Sequence, residues 1–216
     1  MLKRSESKTR ILTRLSRSTK LLERVNKHIK CCLRCPFMLK YEHPNQYKAT
    51  GFGDPCSSII LVGQSLHDYC PETPKHQIPF IGPMEVDSGD VLFKGIEQAG
   101  LRPEDLYITN VVKCHPPQNK PNEKEWERNC WRFLRRELEI IDPRITICLG
   151  RQAESAFLHY KAQTPFFAVP HPSYAMRCGQ EKKWIKTFGD ILHDVFDGIR
   201  TECTWQMGPH SILSKF

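Results

Sequence analysis

The chain contains 216 residues and carries a formal net charge of +8 at pH 7. With 39% hydrophobic and 26% charged residues, its composition is that of a globular protein with one substantial core. No run approaches the roughly 18 consecutive apolar residues that a membrane span requires, and no signal-peptide core is evident. We therefore expect no membrane partner and a location in the cytoplasm, in association with the nucleoid. In that compartment the ten cysteines should stay reduced. We also expect a monomer.

The excess positive charge lies in residues 1–30, which hold ten Lys and Arg against Glu6 and Glu23. Apolar residues in this segment recur at helical spacing, from Ile11 and Leu15 to Ile29, and predict a basic amphipathic arm. Such an arm either lies on phosphates or an acidic partner, or presents a solvated face while packing on the domain. A third interpretation is an organellar transit peptide, because the first twenty residues are rich in Arg and Ser.

From residue 57 onward, short β-branched runs alternate with longer helical patterns. Strands are predicted at residues 58–62, 106–112, 145–149 and 166–169. Helices are predicted near 88–99, 122–140, 150–160 and 182–199, the second starting at Asn122 with Glu125 three residues later. This alternation predicts an α/β fold with three α/β/α layers around a four-stranded parallel sheet. We expect residues 1–30 to form the arm, 31–200 the domain and 201–216 a C-terminal tail.

Polar residues follow the end of each predicted strand. They are residues 63–65 (GQS), Asn110 with residues 113–117 (KCHPP), residues 150–152 (GRQ), and residues 171–174 (HPSY). Ligands bind at this edge of an open α/β sheet, so a site containing Gln, Asn and His is expected there, with Phe80 in the loop after the first strand. The sequence has no G-x-G-x-x-G or P-loop, which argues against a nucleotide cofactor.

Two distant cysteine pairs have the spacing of a metal centre. Cys32 and Cys35 form a C-x2-C pair, and Cys114 and Cys130 form a C-x15-C pair. The competing interpretations are tetrahedral zinc, an iron–sulfur cluster and a set of buried thiols without a metal, and ligand chemistry alone does not separate zinc from the cluster. Cys31 is an alternative to Cys32; we choose Cys32 because it gives the x2 spacing.

Taken in their order along the chain, these motifs resemble those of the iron–sulfur uracil-DNA glycosylases of family four. The resemblance runs from residue 31 to about 197 and includes GFGD at 51–54, PFIG at 79–82, TNVVKCHPP at 109–117 and HPSY at 171–174. It implies that the four cysteines hold a structural 4Fe-4S cluster. It also implies that the protein flips uracil out of DNA and hydrolyses its bond to deoxyribose in base excision repair.

The resemblance also implies a role for each matched residue. Phe80 would stack on the flipped base and Asn110 would read its edge. His171 would stabilise the negative charge that develops on the uracil carbonyl oxygen. Ser173 and Tyr174 would lie beside the DNA backbone and the gap left by the base. Lys113 and Arg177 are candidate phosphate contacts, although a single exposed cation is more often solvated surface.

The turn after the first strand departs from the family pattern G-E-[AG]-P-G. Here residues 63–68 read GQSLHD, so the carboxylate and the Pro-Gly are missing. Gln64 can hold a water molecule but cannot act as a base, and activation of the water would depend on Ser65, backbone carbonyls or Asp68. Residues 83–89 are a second departure, an insertion at the expected pocket rim.

These departures leave alternatives to uracil excision. A specialised glycosylase could act on a different modified pyrimidine, and a non-catalytic iron–sulfur module could bind DNA without the water site. A redox sensor is a third possibility, for which the sequence offers no regulatory tail.

Overall fold

The computed structural model describes residues 8–40, 48–66, 78–80, 87–117 and 122–201. Within these residues the chain forms five strands and six α-helices. The strands are β1 (Phe52–Gly53), β2 (Ile59–Gly63), β3 (Tyr107–Asn110), β4 (Ile145–Leu149) and β5 (Phe166–Val169). The helices are α1 (Lys8–Lys30), α2 (Ser88–Gln98), α3 (Lys124–Ile141), α4 (Arg151–His159), α5 (Pro172–Arg177) and α6 (Glu181–Arg200). Short 3-10 helices occur at Pro36–Lys40 and Pro103–Asp105.

The sheet has the order β1-β3-β2-β4-β5. Strands β2 to β5 are parallel, as predicted, and β1 pairs antiparallel with β3. The predicted four strands are all present, but the edge strand β1 was missed, because two residues are too few to show a periodic pattern. In the register, Gly63 lies opposite Asn110 and Leu149 opposite Val169, so all four parallel strands end at one edge.

Apolar side chains cover both faces of the sheet. On one face, α3 and α4 pack over Ile60, Val62 and Cys148. On the other face, α2 and α6 pack over Leu61 and Ile108. Strands buried on both sides are typical of parallel sheets with helices on each face, and the predicted three layers are confirmed.

Helix α1 is joined to this body through α3. Val25 and Ile29 are buried in a cluster with Phe133 of α3, and the Arg14 Nη2 donates to the Ile141 carbonyl at the far end of α3. Leu12 and Leu15, by contrast, are 64% and 38% exposed. The C-terminal half of α1 therefore packs on the domain, and its N-terminal half presents apolar and basic side chains to solvent.

Strands β4 and β5 begin and end where predicted, and the predicted helices lie within two residues of those observed. The proposed start signal of α3 was wrong. Its N-cap is Glu123, and Asn122 instead donates through Nδ2 to the Gln64 carbonyl at 3.0 Å. Asp87, within the segment interpreted as an insertion, caps α2 by accepting from the N–H groups of Gly89 and Asp90. None of the helices described is long and apolar enough to cross a membrane.

Candidate functional site at the carboxyl edge of the sheet

Gly63, Phe80 and Asn110 meet at the end of β2. A Cβ added to Gly63 would come within 2.4 Å of the Asn110 Oδ1 and 2.5 Å of the Phe80 Cζ. Only glycine leaves room here for the amide and the ring to approach the strand end together. The first of the predicted site residues are therefore neighbours in the structure.

Asn110 is a buried polar side chain whose hydrogen-bonding groups are unsatisfied within the described part of the chain. It is 1% exposed, and neither its Oδ1 nor its Nδ2 has a hydrogen-bond partner among the residues described. A buried amide without partners is costly, because the protein gives back none of the hydrogen bonds that water made. Such a side chain at a sheet edge is well suited to bind a ligand that presents a complementary donor and acceptor.

Phe80 has an unusual backbone conformation and lies beside His171. Its φ of 63° is in the left-handed region, which costs a non-glycine residue about 1–3 kcal/mol. Such a conformation persists only where the surrounding structure enforces it. The Phe80 and His171 rings are stacked with centroids 5.7 Å apart and planes inclined by 27°. This places an aromatic face and an imidazole on one wall of the site.

His171 is held as the N-cap of α5 by its Nδ1 atom. That nitrogen accepts from the Ser173 backbone N–H at 3.2 Å and lies 2.8 Å from the Ser173 Oγ. Since Nδ1 serves as an acceptor, we assign the proton of the neutral ring to Nε2. The imidazole can thus donate a hydrogen bond from Nε2 while remaining uncharged.

The other residues predicted near DNA differ in their placement. Tyr174 is 52% exposed, and the exposed Arg177 donates from Nη1 to the Ser173 Oγ at 3.2 Å. Ser173, Tyr174 and Arg177 thus belong to one short helix beside His171.

The prediction that Lys113 contacts a phosphate was wrong, because its side chain is only 1% exposed. The Lys113 Nζ lies 2.5 Å from the Glu137 Oε2 and 2.6 Å from the Thr109 Oγ1. Tyr107 also donates to Glu137, and burial next to this carboxylate raises the pKa of the Tyr107 hydroxyl well above its usual value. Lys113 therefore completes a buried network that ties β3 to α3.

Gln64 and Ser65 follow β2 directly and are half-buried. The Gln64 carbonyl accepts from the Val112 N–H and from Asn122, and the Asn122 N–H donates to the Gln152 side chain. The turn is thereby tied to the segments that follow β3 and β4. Asp68, the other residue considered for water activation, lies outside the described residues.

The four predicted ligand cysteines lie on neighbouring segments, and three of them are buried. Cys35, Cys114 and Cys130 are each at most 5% exposed, Cys32 is half-buried and Cys31 is exposed. Several N–H groups point at these sulfur atoms: Asn129 Nδ2 at 3.6 Å from Cys35, the Lys113 N–H at 3.4 Å from Cys130, and Arg132 Nη2 at 4.0 Å from Cys32. Thiolates are stabilised by such donors, which favours Cys32 over Cys31 as the fourth thiol.

The thiols also influence one another's acidity. Burial raises the pKa of Cys35 to about 11, and a hydrogen bond shared with Cys130 raises the pKa of Cys114 while lowering that of Cys130. Binding of a metal would therefore have to displace protons. As the side chains stand in the part of the chain described, no group of three or more His, Cys, Asp or Glu is arranged to hold a metal ion.

Lys48 is a neighbour of the thiols that the sequence did not reveal. Lys48 is 1% exposed, and its Nζ donates to the Lys30 carbonyl at 2.6 Å. Its backbone forms an isolated antiparallel β-bridge with Cys114. Burial lowers the pKa of its ammonium group, and the nearby thiols oppose this shift. Nothing in the local sequence distinguishes Lys48 from an exposed lysine, because its burial depends on α1 and on the segment after β3.

The match to a family model and the similarities to individual proteins indicate the same family. Residues 50–193 match the Uracil DNA glycosylase superfamily. A Type-4 uracil-DNA glycosylase of Thermotoga maritima is 34% identical over 141 residues, covering 65% of this chain and 68% of the relative. One from Archaeoglobus fulgidus is 34% identical over 132 residues, 61% of each chain. A Type-5 uracil-DNA glycosylase of Thermus thermophilus is 35% identical over 133 residues, covering 54% of this chain and 58% of the relative.

Proposed function

The chain belongs to the uracil-DNA glycosylase superfamily, and on that premise we propose that it excises uracil from DNA in base excision repair. The reaction is hydrolysis of the N-glycosyl bond, which leaves an abasic site. The observation that carries the proposal is the buried Asn110 amide, which has no hydrogen-bond partner among the described residues and lies near Phe80, whose ring stacks on His171. The relatives are named for uracil excision, and this gives no support to a non-catalytic module.

Recognition of the base would combine stacking with hydrogen bonding. A uridine turned out of the helix would lie against the Phe80 ring, which accepts any pyrimidine. Asn110 would supply the choice, because its amide offers one acceptor and two donors to the uracil edge. Cytosine presents the opposite pattern at that edge and would leave a buried amide mismatched.

Bond cleavage would leave positive charge on the sugar and negative charge on the departing uracil. His171 can place its Nε2–H toward the uracil carbonyl oxygen, since Nδ1 is occupied by the Ser173 N–H. A neutral donor fixed in this way needs no proton transfer to stabilise the anion. Neither Gln64 nor Ser65, the described residues considered for holding the attacking water, supplies a strong base, so we place most of the catalytic effect on His171.

We further propose that Cys32, Cys35, Cys114 and Cys130 hold a 4Fe-4S cluster. The proposal is supported by the resemblance to the iron–sulfur glycosylases and by the packing of Cys35, Cys114 and Cys130 in one buried cluster. The cluster would act as a cross-link between the segment after α1 and the start of α3. Purified protein should be brown with about four iron atoms per chain, and stoichiometric zinc without colour would contradict this assignment.

The proposed activity can be tested with oligonucleotides that each contain one altered base. We expect abasic sites, revealed by alkaline cleavage, with uracil and little or no product with hypoxanthine, xanthine or hydroxymethyluracil. Cleavage of another base in preference to uracil would favour the specialised glycosylase. We propose that the enzyme acts as a monomer in the cytoplasm, close to the nucleoid.

A further inference from the structure

Lys48 lies between the two segments that carry the proposed cluster ligands. Its Nζ donates to the carbonyl of Lys30, which precedes Cys32 by two residues, at 2.6 Å. Its backbone pairs with Cys114 in an antiparallel bridge, and the Ala49 N–H donates to the carbonyl of the residue before Cys114 at 2.8 Å. A single lysine therefore joins the segment after α1 to the segment after β3.

The ammonium group of Lys48 is enclosed by protein. The side chain is 1% exposed, and burial lowers the pKa of the ammonium group because the charged form loses its hydration. The thiols of Cys114, Cys32 and Cys31 act in the opposite direction and favour the charged form. A buried cation is costly unless negative charge faces it, and thiols supply such charge when they are deprotonated as metal ligands.

Two other cations near the ligand set have different surroundings. The Arg132 Nη2 lies 4.0 Å from the Cys32 Sγ, but this arginine is exposed, and water and salt screen its charge. Lys113 is buried, and its ammonium group is paired with the Glu137 carboxylate, which offsets the charge. Lys48 combines burial with a position between both ligand segments, where a charge acts through a lower dielectric constant than in water.

We propose that Lys48 compensates the negative charge of a 4Fe-4S cluster held by Cys32, Cys35, Cys114 and Cys130 and thereby raises the reduction potential of that cluster. The inference rests on the proposed cluster and extends it, because it assigns a role to a residue that is not a ligand. Four thiolates give such a cluster a net negative charge, which each added electron increases. A fixed cation nearby stabilises the reduced form more than the oxidised form, so the potential rises.

The test compares variants of the iron-loaded protein that differ in one charge. Lys48→Met keeps a long side chain and removes the cation, Lys48→Gln removes the cation but keeps a donor, and Lys48→Arg keeps the charge. Lys40→Met is the matched control, because Lys40 is an exposed lysine five residues after Cys35. Arg132→Gln removes the exposed cation. Iron content is measured first, then the midpoint potential by voltammetry of the protein on an electrode.

We expect Lys48→Met to change the equilibrium constant of one-electron reduction about tenfold, which lowers the midpoint potential by about 59 mV. Lys48→Gln should behave in the same way, and Lys48→Arg should keep most of the wild-type potential. Arg132→Gln should cause a smaller shift, because its charge is screened, and Lys40→Met should cause none. Release of iron to a ferrous chelator should be about tenfold faster in Lys48→Met, the scale on which residues that support metal ligands affect metal binding.

Equal potentials in Lys48→Met and the wild type would overturn the proposal, as would a shift in Lys48→Arg as large as that in Lys48→Met. The latter result would mean that Lys48 acts through packing alone. Where the wild-type cluster gives no reduction wave, iron release decides, and equal rates in Lys48→Met and Lys40→Met overturn the proposal.

Loss of iron from both neutral variants but not from Lys48→Arg would support the role of the charge, and loss from all three would overturn it. A failure of the proposed cluster looks different. The wild-type protein would then contain zinc or no metal, which the metal analysis shows before any variant is compared, and the inference would fall with it.

Discussion

Asn110 and Lys113 lie three residues apart, are both 1% exposed, and have opposite surroundings. The Lys113 ammonium group is paired with Glu137 and Thr109, while the Asn110 amide has no partner in the described part of the structure. The lysine belongs to the scaffold, since all its hydrogen bonds are directed into the protein. The Asn110 amide is the group that we propose to bind the uracil edge, which would supply the hydrogen bonds it otherwise lacks.

The largest effect should come from breaking the scaffold pair. Lys113→Met leaves the Glu137 carboxylate buried without its cation, and we expect the free energy of unfolding to fall by about 3–5 kcal/mol. Urea denaturation of the cluster-containing protein measures this difference. The double variant Lys113→Met with Glu137→Leu should recover most of the loss, and a single variant as stable as the wild type would show that the pair has no structural role.

His171→Ala should have the largest effect on chemistry. Loss of a donor aimed at developing negative charge should reduce the single-turnover rate on a uracil oligonucleotide by on the order of 10²–10³. Ser173→Ala keeps the backbone N–H that fixes the His171 tautomer, so its rate should fall much less. Equal losses in the two variants would argue that His171 acts only through the structure of α5.

Asn110→Asp should change the selectivity for the base. We expect weaker uracil excision and greater tolerance of cytosine, by about 1–3 kcal/mol for each lost base-edge contact. Asn110→Ala provides the comparison with Lys113, because removing an amide that has no partner among the described residues should alter the free energy of unfolding by less than about 1 kcal/mol. Uracil activity that is unchanged in Asn110→Asp would refute the assignment.

Ser65→Ala should have the smallest effect on the single-turnover rate if, as we propose, leaving-group stabilisation by His171 carries most of the catalysis. Asp68→Asn is the informative partner in the same assay. A loss of roughly 10²-fold or more in that variant would indicate a general base and would place water activation on Asp68 instead. Little change in both variants would support the dominant role of His171.

Much of this organisation was accessible from the sequence because it is local. The four parallel strands are continuous β-branched runs, and the polar residues that follow them must share one edge once the sheet is parallel. Asn110, Phe80 and His171 were identified through these positions and through motifs that resemble a known family. The structure brings Asn110 and Phe80 together at Gly63 and stacks the His171 ring near Phe80.

Other features depended on residues distant in the chain. Lys113 was predicted to reach DNA, and its burial was decided by Glu137, 24 residues later on another element. Asn122 has the sequence features of a helix cap, yet it binds the turn after β2, 58 residues earlier. In both cases the side chain can satisfy its hydrogen bonds in more than one way, and only packing selects the partner.

The sequence by itself therefore determined the fold class, the edge of the sheet that carries the site and the residue types available there. Periodicity and strand ends record these properties within a few neighbouring residues. Tertiary structure alone decided which polar groups are satisfied, that the rings of Phe80 and His171 stack, and that Lys48 is buried. The physical reason is that hydrogen bonding and burial depend on contacts between elements, which have no local signature in the chain.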